Sequence, residues 1–335
     1  FKIQEGKFKI ADLNLSVEGA YKTGDEKDFI GLKVKGEEMS ISSVLSLLPP
    51  SLTEKMSSFD SAGDFFFLAE ISGDPSDPEI ASSFGIKAGT ITETSTSVSL
   101  ENVSLNGDYL NKPSASLSIN DFEASIEGGQ LSGKLKISDM HSKARLVMNL
   151  AGNIGLKELN GFMKIDTISS IEGQVKMNIN YSGPLKADIS YSSEYLESIS
   201  TSGEVEITGG AIELKNSTMT FSELKGNFSL QNADVKVNNF SGKALSSDIM
   251  LKGEFRDLVK YFLSDKHTMT IDAAFVSDLI DLNELLSNKN EETKSDTAYN
   301  LSFPERIDLK LETRVAKTVF RNFEATLIKG DLLMR

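Results

Sequence analysis

Two histidines stand close in sequence to a carboxylate: His141 in SDMHSK follows Asp139, and His267 in SDKHTM follows Asp265. A histidine oriented by a carboxylate can act as a general base. Neither has a partner at the HxH or HxxxH spacing of a histidine metal site. Both lie in polar, turn-like surroundings, so each is expected to be a solvated surface residue. The acidic cluster GDPSDP (73–78) offers Asp74 and Asp77 but lacks the DxDxDG spacing and distal glutamate of a calcium loop. A proline-stiffened turn between strands accounts for it better. Nucleophile elbows, Walker loops and Rossmann fingerprints are missing. With no cysteine there is no thiolate nucleophile, thiolate metal site or disulfide. The expectation is a protein without metal or cofactor that is not an enzyme.

Apolar residues do recur at a meaningful spacing. In EGQVKMNINYSG (172–183), Val175, Met177, Ile179 and Tyr181 alternate with Gln174, Lys176, Asn178 and Asn180. AGDFFFLAEISG (62–73) brackets a second such run between glycines, with Phe65, Phe67 and Ile71. RIDLKLE repeats the pattern with Ile307, Leu309 and Leu311. Period-two alternation is the mark of a strand with one dry and one wet side. The two glycine-bracketed runs look like equivalent rungs of one array.

The rest of the chain is read against that pattern. Shorter alternations close on glycine at Gly19, Gly36, Gly152 and Gly253, where turns or bulges joining antiparallel strands are expected. ENVSLNGDYL (101–110), SELKGNFSL (222–230) and RNFEATLIKGDLLM (321–334) read as related hairpin units, each with a glycine-containing turn. Altogether roughly 18 to 20 short strands of about five or six residues are expected. Three stretches have helical spacing instead: SISSVLSLLPP, stopped by Pro49 and Pro50, EFRDLVKYFL, and SDLIDLNELLS (277–287), opened by Ser277. They are expected to pack on the sheet or plug an open end of it. The polar run 287–299 is expected to be a flexible loop, and no domain boundary shows elsewhere in 1–335.

Composition narrows the partners. Lys and Arg number 35 against 49 Asp and Glu, which argues against nucleic acid and against electrostatic docking on an anionic membrane. No apolar run approaches the roughly 20 residues of a transmembrane helix. The chain opens at Phe1 within a strand-like pattern, as expected of a fragment whose membrane anchor or export signal lies outside it. Sequons at Asn14, Asn102, Asn180, Asn216, Asn227, Asn239 and Asn300 arise readily by chance in a chain this rich in Ser, Thr and Asn.

The fold class expected is all-β, mainly antiparallel, with a few short helices. A long sheet curled into an open apolar groove is one way to treat the dry side; folding onto a second sheet, closing into a barrel or recruiting helices are the others. An open groove would be a large apolar patch, and acyl chains, apolar and without a hydrogen-bond code, would be its natural occupants. Its candidate lining is Phe65, Phe67, Ile71, Val175, Met177, Ile179, Tyr181, Ile307, Leu309 and Leu311.

Three runs resemble the C-terminal part of AsmA-like proteins of the Gram-negative envelope: 168–185 (ISSIEGQVKMNINYSGPL), 201–263 (TSGEVEI to LVKYFL) and 303–334 (FPERIDL to KGDLLM). The shared order is a glycine-led strand, a hairpin, a strand ending in LKG, a short helix, then the RNFEATL hairpin. The resemblance covers the second half well and Gly6 to Gly73 more loosely. It implies a repeating β-groove protein of the periplasm, anchored in the inner membrane by an N-terminal helix that this chain does not contain. It also implies movement of phospholipid toward the outer membrane, with outer-membrane components as further partners and no catalytic residues. The rival functions are an envelope scaffold or outer-membrane assembly factor working through exposed sheet edges and, least favoured, an enzyme acting on envelope lipids or glycans.

Overall fold

The computed structural model describes residues 2–10, 13–24, 27–45, 58–163, 165–185, 197–215, 217–263, 267–286 and 306–334. Among the described residues the protein is nearly all β, 76% strand and 8% helix, and its strands pair mostly antiparallel. The all-β, mainly antiparallel expectation is met. Two compact units divide the chain: residues 1–154 with 181–188, and 155–180 with 189–335.

The first unit is built on β1 (Lys2–Ile10), β2 (Leu13–Lys22), β3 (Phe29–Ser40), β4 (Phe59–Asp74), β5 (Asp77–Glu93), β6 (Ser99–Leu110), β7 (Ser116–Ile126), β8 (Gly129–Ser138) and β9 (Arg145–Gly155). Each pairs antiparallel with the next. A single helical turn, α1 (Ile41–Leu45), follows β3. As expected, GDPSDP forms the tight β4–β5 turn, with Asp74 opposite Asp77. Asp74 accepts from the amide and hydroxyl of Ser76 at 2.9 and 2.7 Å, and these bonds hold its carboxyl below the usual range.

The second unit begins with α2 (Leu156–Met163) and continues through β10 (Ile168–Pro184), β11 (Ser200–Leu214), β12 (Thr220–Gln231), β13 (Asp234–Ala244) and β14 (Ser247–Arg256). It ends with α3 (Leu258–Leu263), β15 (Met269–Asp281), α4 (Leu282–Leu285), β16 (Ile307–Phe320) and β17 (Phe323–Met334). The unit boundary falls inside β10, after Asn180. Strands β11 to β15 pair antiparallel in sequence order, as do β16 and β17. The exception is β15–β16, which is parallel, with Met269 opposite Ile307 and Asp281 opposite Val319. A parallel pair needs a connection that returns along the whole strand. The loop expected at 287–299 belongs to that connection and lies outside the described residues.

The described strands are longer than the alternation predicts, each 9 to 17 residues. Bulges are the reason. Glu38, Ala88, Asn102 and Glu223 lie inside strands with φ of 51°, 49°, 52° and 54°, and at each the register with the following strand slips. A bulge displaces the alternation by one residue and bends the strand, so one strand reads in sequence as two. ENVSLNGDYL and SELKGNFSL are accordingly single bulged strands, β6 and β12, and not hairpins. In RNFEATLIKGDLLM only the opening Arg321–Asn322 is a turn, and the remainder is β17. Gly19, Gly36, Gly152 and Gly253 likewise lie within strands. At Gly253 a Cβ would stand 2.4 Å from the Cβ of Ala273 across the pair.

Two of the expected helices form in part: Ile41–Leu45 as α1, the rest of that run to Pro50 lying outside the described residues, and Leu258–Leu263 as α3, while Glu254 to Arg256 complete β14. The third is corrected: Ser277 to Asp281 complete β15, and α4 starts only after Asp281, whose carboxylate accepts from the Asn283 and Glu284 amides. The helix α2 was not anticipated. Both α3 and α4 sit on hairpin turns. Val259 of α3 donates its amide to Ala233 O. Glu284 of α4 accepts from Ser246 N at 2.9 Å, and Asn283 accepts from Arg321 N at 2.6 Å. These two helices thus cap strand ends.

The start of β14 is tied to the end of β15 by Asp248, whose carboxylate accepts from the amides of Asp278 and Leu279 and the hydroxyl of Ser277. Burial alone would raise its pKa, but the hydrogen bonds outweigh that and hold it below its ordinary value. A depressed carboxylate stabilises the fold above its unfolded-state pKa and loses that contribution as pH falls through the native one. Asp248→Asn is therefore expected to cost about 1 kcal/mol at neutral pH. In urea titrations at a series of pH values, the wild-type advantage should be complete above about pH 4 and shrink below it. Gly253→Ala should destabilise by about 1–3 kcal/mol through overpacking against Ala273, measured by the same titration.

Candidate functional site: an apolar sheet face

Register carries the apolar residues of each strand onto the same side as those of its neighbours. In the first unit Met39, Phe65, Ile86, Leu105 and Phe122 stand opposite one another in turn from β3 to β7. Beside them run Phe67, Phe84, Gly107, Ile119, Leu135 and Met148, and a shorter row joins Leu32, Ile71 and Ile80. In the second unit one row crosses Val205, Phe228, Val237, Gly253, Ala273 and Leu311, and the next crosses Leu230, Val235, Phe255, Ile271 and Leu309. Phe65 and Phe84 stack at 6.3 Å between centroids, and Phe228 meets Phe240 at 6.1 Å.

Met39, Val237 and Ala273 are sealed, 3%, 5% and 6% exposed, and the other side chains of these rows are partly open. Of the ten candidate lining residues Val175 is sealed, 3% exposed, and the other nine are half-buried. Ile154, by comparison, is 2% exposed and Val103 0%. A residue facing a second sheet about 10 Å away would be sealed like those two. Half-burial is what flanking sheet neighbours alone provide. The opposite face carries the charges, exposed and in pairs: Lys33 with Glu70 at 3.7 Å, Lys310 with Asp272 at 3.5 Å and Lys243 with Glu223 at 2.6 Å. Exposed pairs like these contribute little to stability; they mark the wet side.

The two glycine-bracketed runs do occupy equivalent places, each in its own strand set. Gly63 on β4 (φ 123°) and Gly173 on β10 (φ 113°) take the backbone region open to glycine. A Cβ on Gly63 would stand 2.6 Å from the Cα of Gly89, and one on Gly173 would stand 2.7 Å from that of Gly210. Gly89 in turn faces Val103 on β6, and Gly210 faces Leu224 on β12. Counting from the first glycine, Phe65 matches Val175, Phe67 matches Met177 and Ile71 matches Tyr181. A Cβ on Gly203 of β11 would lie 2.9 Å from the Cα of Ile179, which sets Ile179 beside the Leu230 row through Gly203. Ile307, Leu309 and Leu311 line one side of β16.

Sequence reading missed Phe84, Leu105, Phe122, Phe228, Phe255 and Ile271 as members of this face. The alternation in each strand was the signal, but bulges interrupt it. Among the described residues the polar groups with catalytic potential are not brought together. His141 is exposed as expected, and Asp139 accepts from Ser114 Oγ at 2.6 Å. His267 is a correction: it is half-buried, and its Nδ1 has neither solvent contact nor a hydrogen-bond partner. Its carbonyl accepts from Arg306 at 2.7 Å, and that guanidinium packs on the Tyr261 ring at 4.8 Å. Its sequence neighbour Asp265 lies outside the described residues. The most buried carboxylate, Glu93 at 1% exposure, is a turn device. One of its oxygens accepts from the amides and hydroxyls of Ser95 and Thr96. Among the described residues no three His, Cys, Asp or Glu side chains converge as a metal set, and no helix is long and apolar enough to cross a membrane.

No model of a known protein family, no curated protein and no solved structure matches the chain.

Half-burial sets a measurable expectation. Leu311→Ala removes a side chain already partly in water and should cost roughly 1 kcal/mol, against about 3 kcal/mol for the sealed Ile154→Ala. Equal losses in urea denaturation would mean that the Leu311 face is a closed core.

Proposed function

We propose that in each unit the apolar face lines a groove that binds and conducts phospholipid acyl chains, in lipid transport between inner and outer membranes. The observation that carries this reading is the set of aligned apolar rows most of whose side chains stay half-buried while the opposite face is charged and solvated. Left uncovered, aligned rows of this kind would make a large apolar patch for a monomer to leave to water. An acyl chain fits it because aliphatic contact is non-directional. A methylene moving from one row to the next, about 4.8 Å on, exchanges one set of dispersion contacts for a nearly identical set. Sliding therefore meets little barrier as long as the charged headgroup keeps to the wet rim, since desolvating it would be costly.

Phenylalanine and glycine pair across strands in a way that favours such sliding. The Phe67 ring reaches within 2.8 Å of where a Cβ of Gly36 would stand, and the Phe84 ring within 2.6 Å of that of Gly107. Rings laid across glycines make a smooth floor. The resemblance of 168–185, 201–263 and 303–334 to AsmA-like proteins supports the same reading. It adds a periplasmic site of action, an inner-membrane anchor and outer-membrane components as partners. The role is one of binding and conduction, without catalysis.

Mass spectrometry of organic extracts from protein purified without detergent tests this directly. Phospholipid should co-purify with the wild type and be lost from Met177→Glu with Ile179→Glu, a double variant that remains folded and soluble because both side chains are half-buried. A folded wild type without lipid, or a double variant that unfolds, would replace the groove with a closed core.

A further inference from the structure

Burial in the first unit is graded along the strands. Leu13, Met39, Val103, Ala124, Ile126 and Ile154 are sealed, 0% to 6% exposed. They lie near the starts of β2 and β6 and the ends of β3, β7 and β9, which is one and the same end because neighbours run antiparallel. Alternation puts Val103 on the side of Leu105, Ala124 and Ile126 on that of Phe122, and Ile154 on that of Met148, so the sealed residues share the apolar side. Two sealed alanines, Ala69 and Ala115, lie elsewhere. At the opposite end Leu117, Ile137 and Leu146 face one another across β7, β8 and β9. They are half-buried, as are the paired Ile71 and Ile80.

Bulges run along the sealed end. Gly63, Ala88 and Asn102 stand just beyond Phe65, Ile86 and Leu105 on β4, β5 and β6, with φ of 123°, 49° and 52°, and the register slips at each. Each bulge bends its strand, so consecutive bulges at one level make a crease. Phe65, Ile86, Leu105 and Phe122 form the last half-buried row before it. From Phe122 to Leu117 the strand runs about 17 Å at about 3.4 Å per residue. One leaflet of a bilayer core, half of a roughly 30 Å thickness, is about 15 Å. The open stretch is one acyl tail deep. Its two ends also differ in polarity. Tyr21 and Tyr109 stand at the open end, Tyr109 opposite Leu117, and a tyrosine there joins an apolar ring to a polar tip. At the sealed end Glu93 is engaged by Ser95 and Thr96.

We infer that in the first unit the acyl tail lies along the strands, its terminal methyl against Phe65, Ile86, Leu105 and Phe122 and its ester at the end marked by Tyr21 and Tyr109. An ester carbonyl carried to the crease would lose its hydrogen bonds to water among sealed apolar side chains, whereas a terminal methyl loses nothing there. The four side chains are positioning residues that stop the tail at the crease. A tail held in this direction passes from strand to strand sideways, without turning. This placement rests on the proposed lipid binding.

The chain has no cysteine, so a single nitrobenzoxadiazole label can be attached at Phe122→Cys or at Leu117→Cys, both half-buried positions. Vesicles supply phosphatidylcholine with a nitroxide beside either the terminal methyl or the ester. Label fluorescence in the re-isolated protein is compared with that from nitroxide-free lipid. The methyl-end nitroxide should quench the label at 122 by roughly twofold or more over that at 117, and the ester-end nitroxide the reverse, because the two labels are about 17 Å apart. Leu105→Trp fills the stop row at a half-buried position and should shift methyl-end quenching toward the label at 117. Equal quenching of both labels by both lipids, the opposite order, or a pattern unmoved by Leu105→Trp would overturn the placement and leave lipid binding standing. No quenching of either label by either lipid would overturn both.

Discussion

A strand can show only alternate residues to one side, so a sheet has a dry face only if every strand enters in the register that puts its apolar set on that side. A slip of one residue would exchange the faces completely. The rest of this structure depends on that constraint being met strand after strand. It is met even where the chain bulges: Val103 and Leu224 follow bulge residues directly and are buried, 0% and 6% exposed. The bulges restore the face after each slip and bend the strand as they do so.

The same constraint explains where polar chemistry went. Charged residues occupy the opposite face in shallow pairs, and the well-connected carboxylates, Asp74, Glu93, Asp248 and Asp281, all close turns or tie strand ends. Helices α3 and α4 are used in the same way, their amides and side chains satisfying hairpin termini. What remains on the other side of the strands is hydrophobic surface, and the proposed acyl-chain ligand is one that needs no hydrogen-bond code.

Much of this could be read from the amino acids. The alternation of Val175, Met177, Ile179 and Tyr181 with Gln174, Lys176, Asn178 and Asn180 reports a strand and its dry side because the side-chain period is two, and burial follows it residue by residue. The equivalence of Gly63 and Gly173 was legible for a different reason: two glycines ten residues apart mark the same backbone demand twice. Strand limits were not legible. Asn102 and Glu223 turn one strand into an apparent pair, and nothing local distinguishes a bulge from a turn until the neighbour's register is known. Leu279, Ile280 and Leu282 have spacing that suits a helix, yet Asp248 on β14 captures the Asp278 and Leu279 amides and holds that segment in β15. The parallel β15–β16 pair is a non-local choice, and the half-buried His267 depends on Arg306, 39 residues away.

Whether the dry face is open to lipid is decided most directly by a photo-reactive benzoylphenylalanine placed at Met177 in one protein and at Lys176 in another, irradiated in cells that make the protein. An open apolar face predicts phospholipid adducts at position 177 and none at 176, since adjacent residues point to opposite sides of the same strand. Adducts confined to the protein's own side chains at 177, or lipid captured equally at both positions, would contradict it.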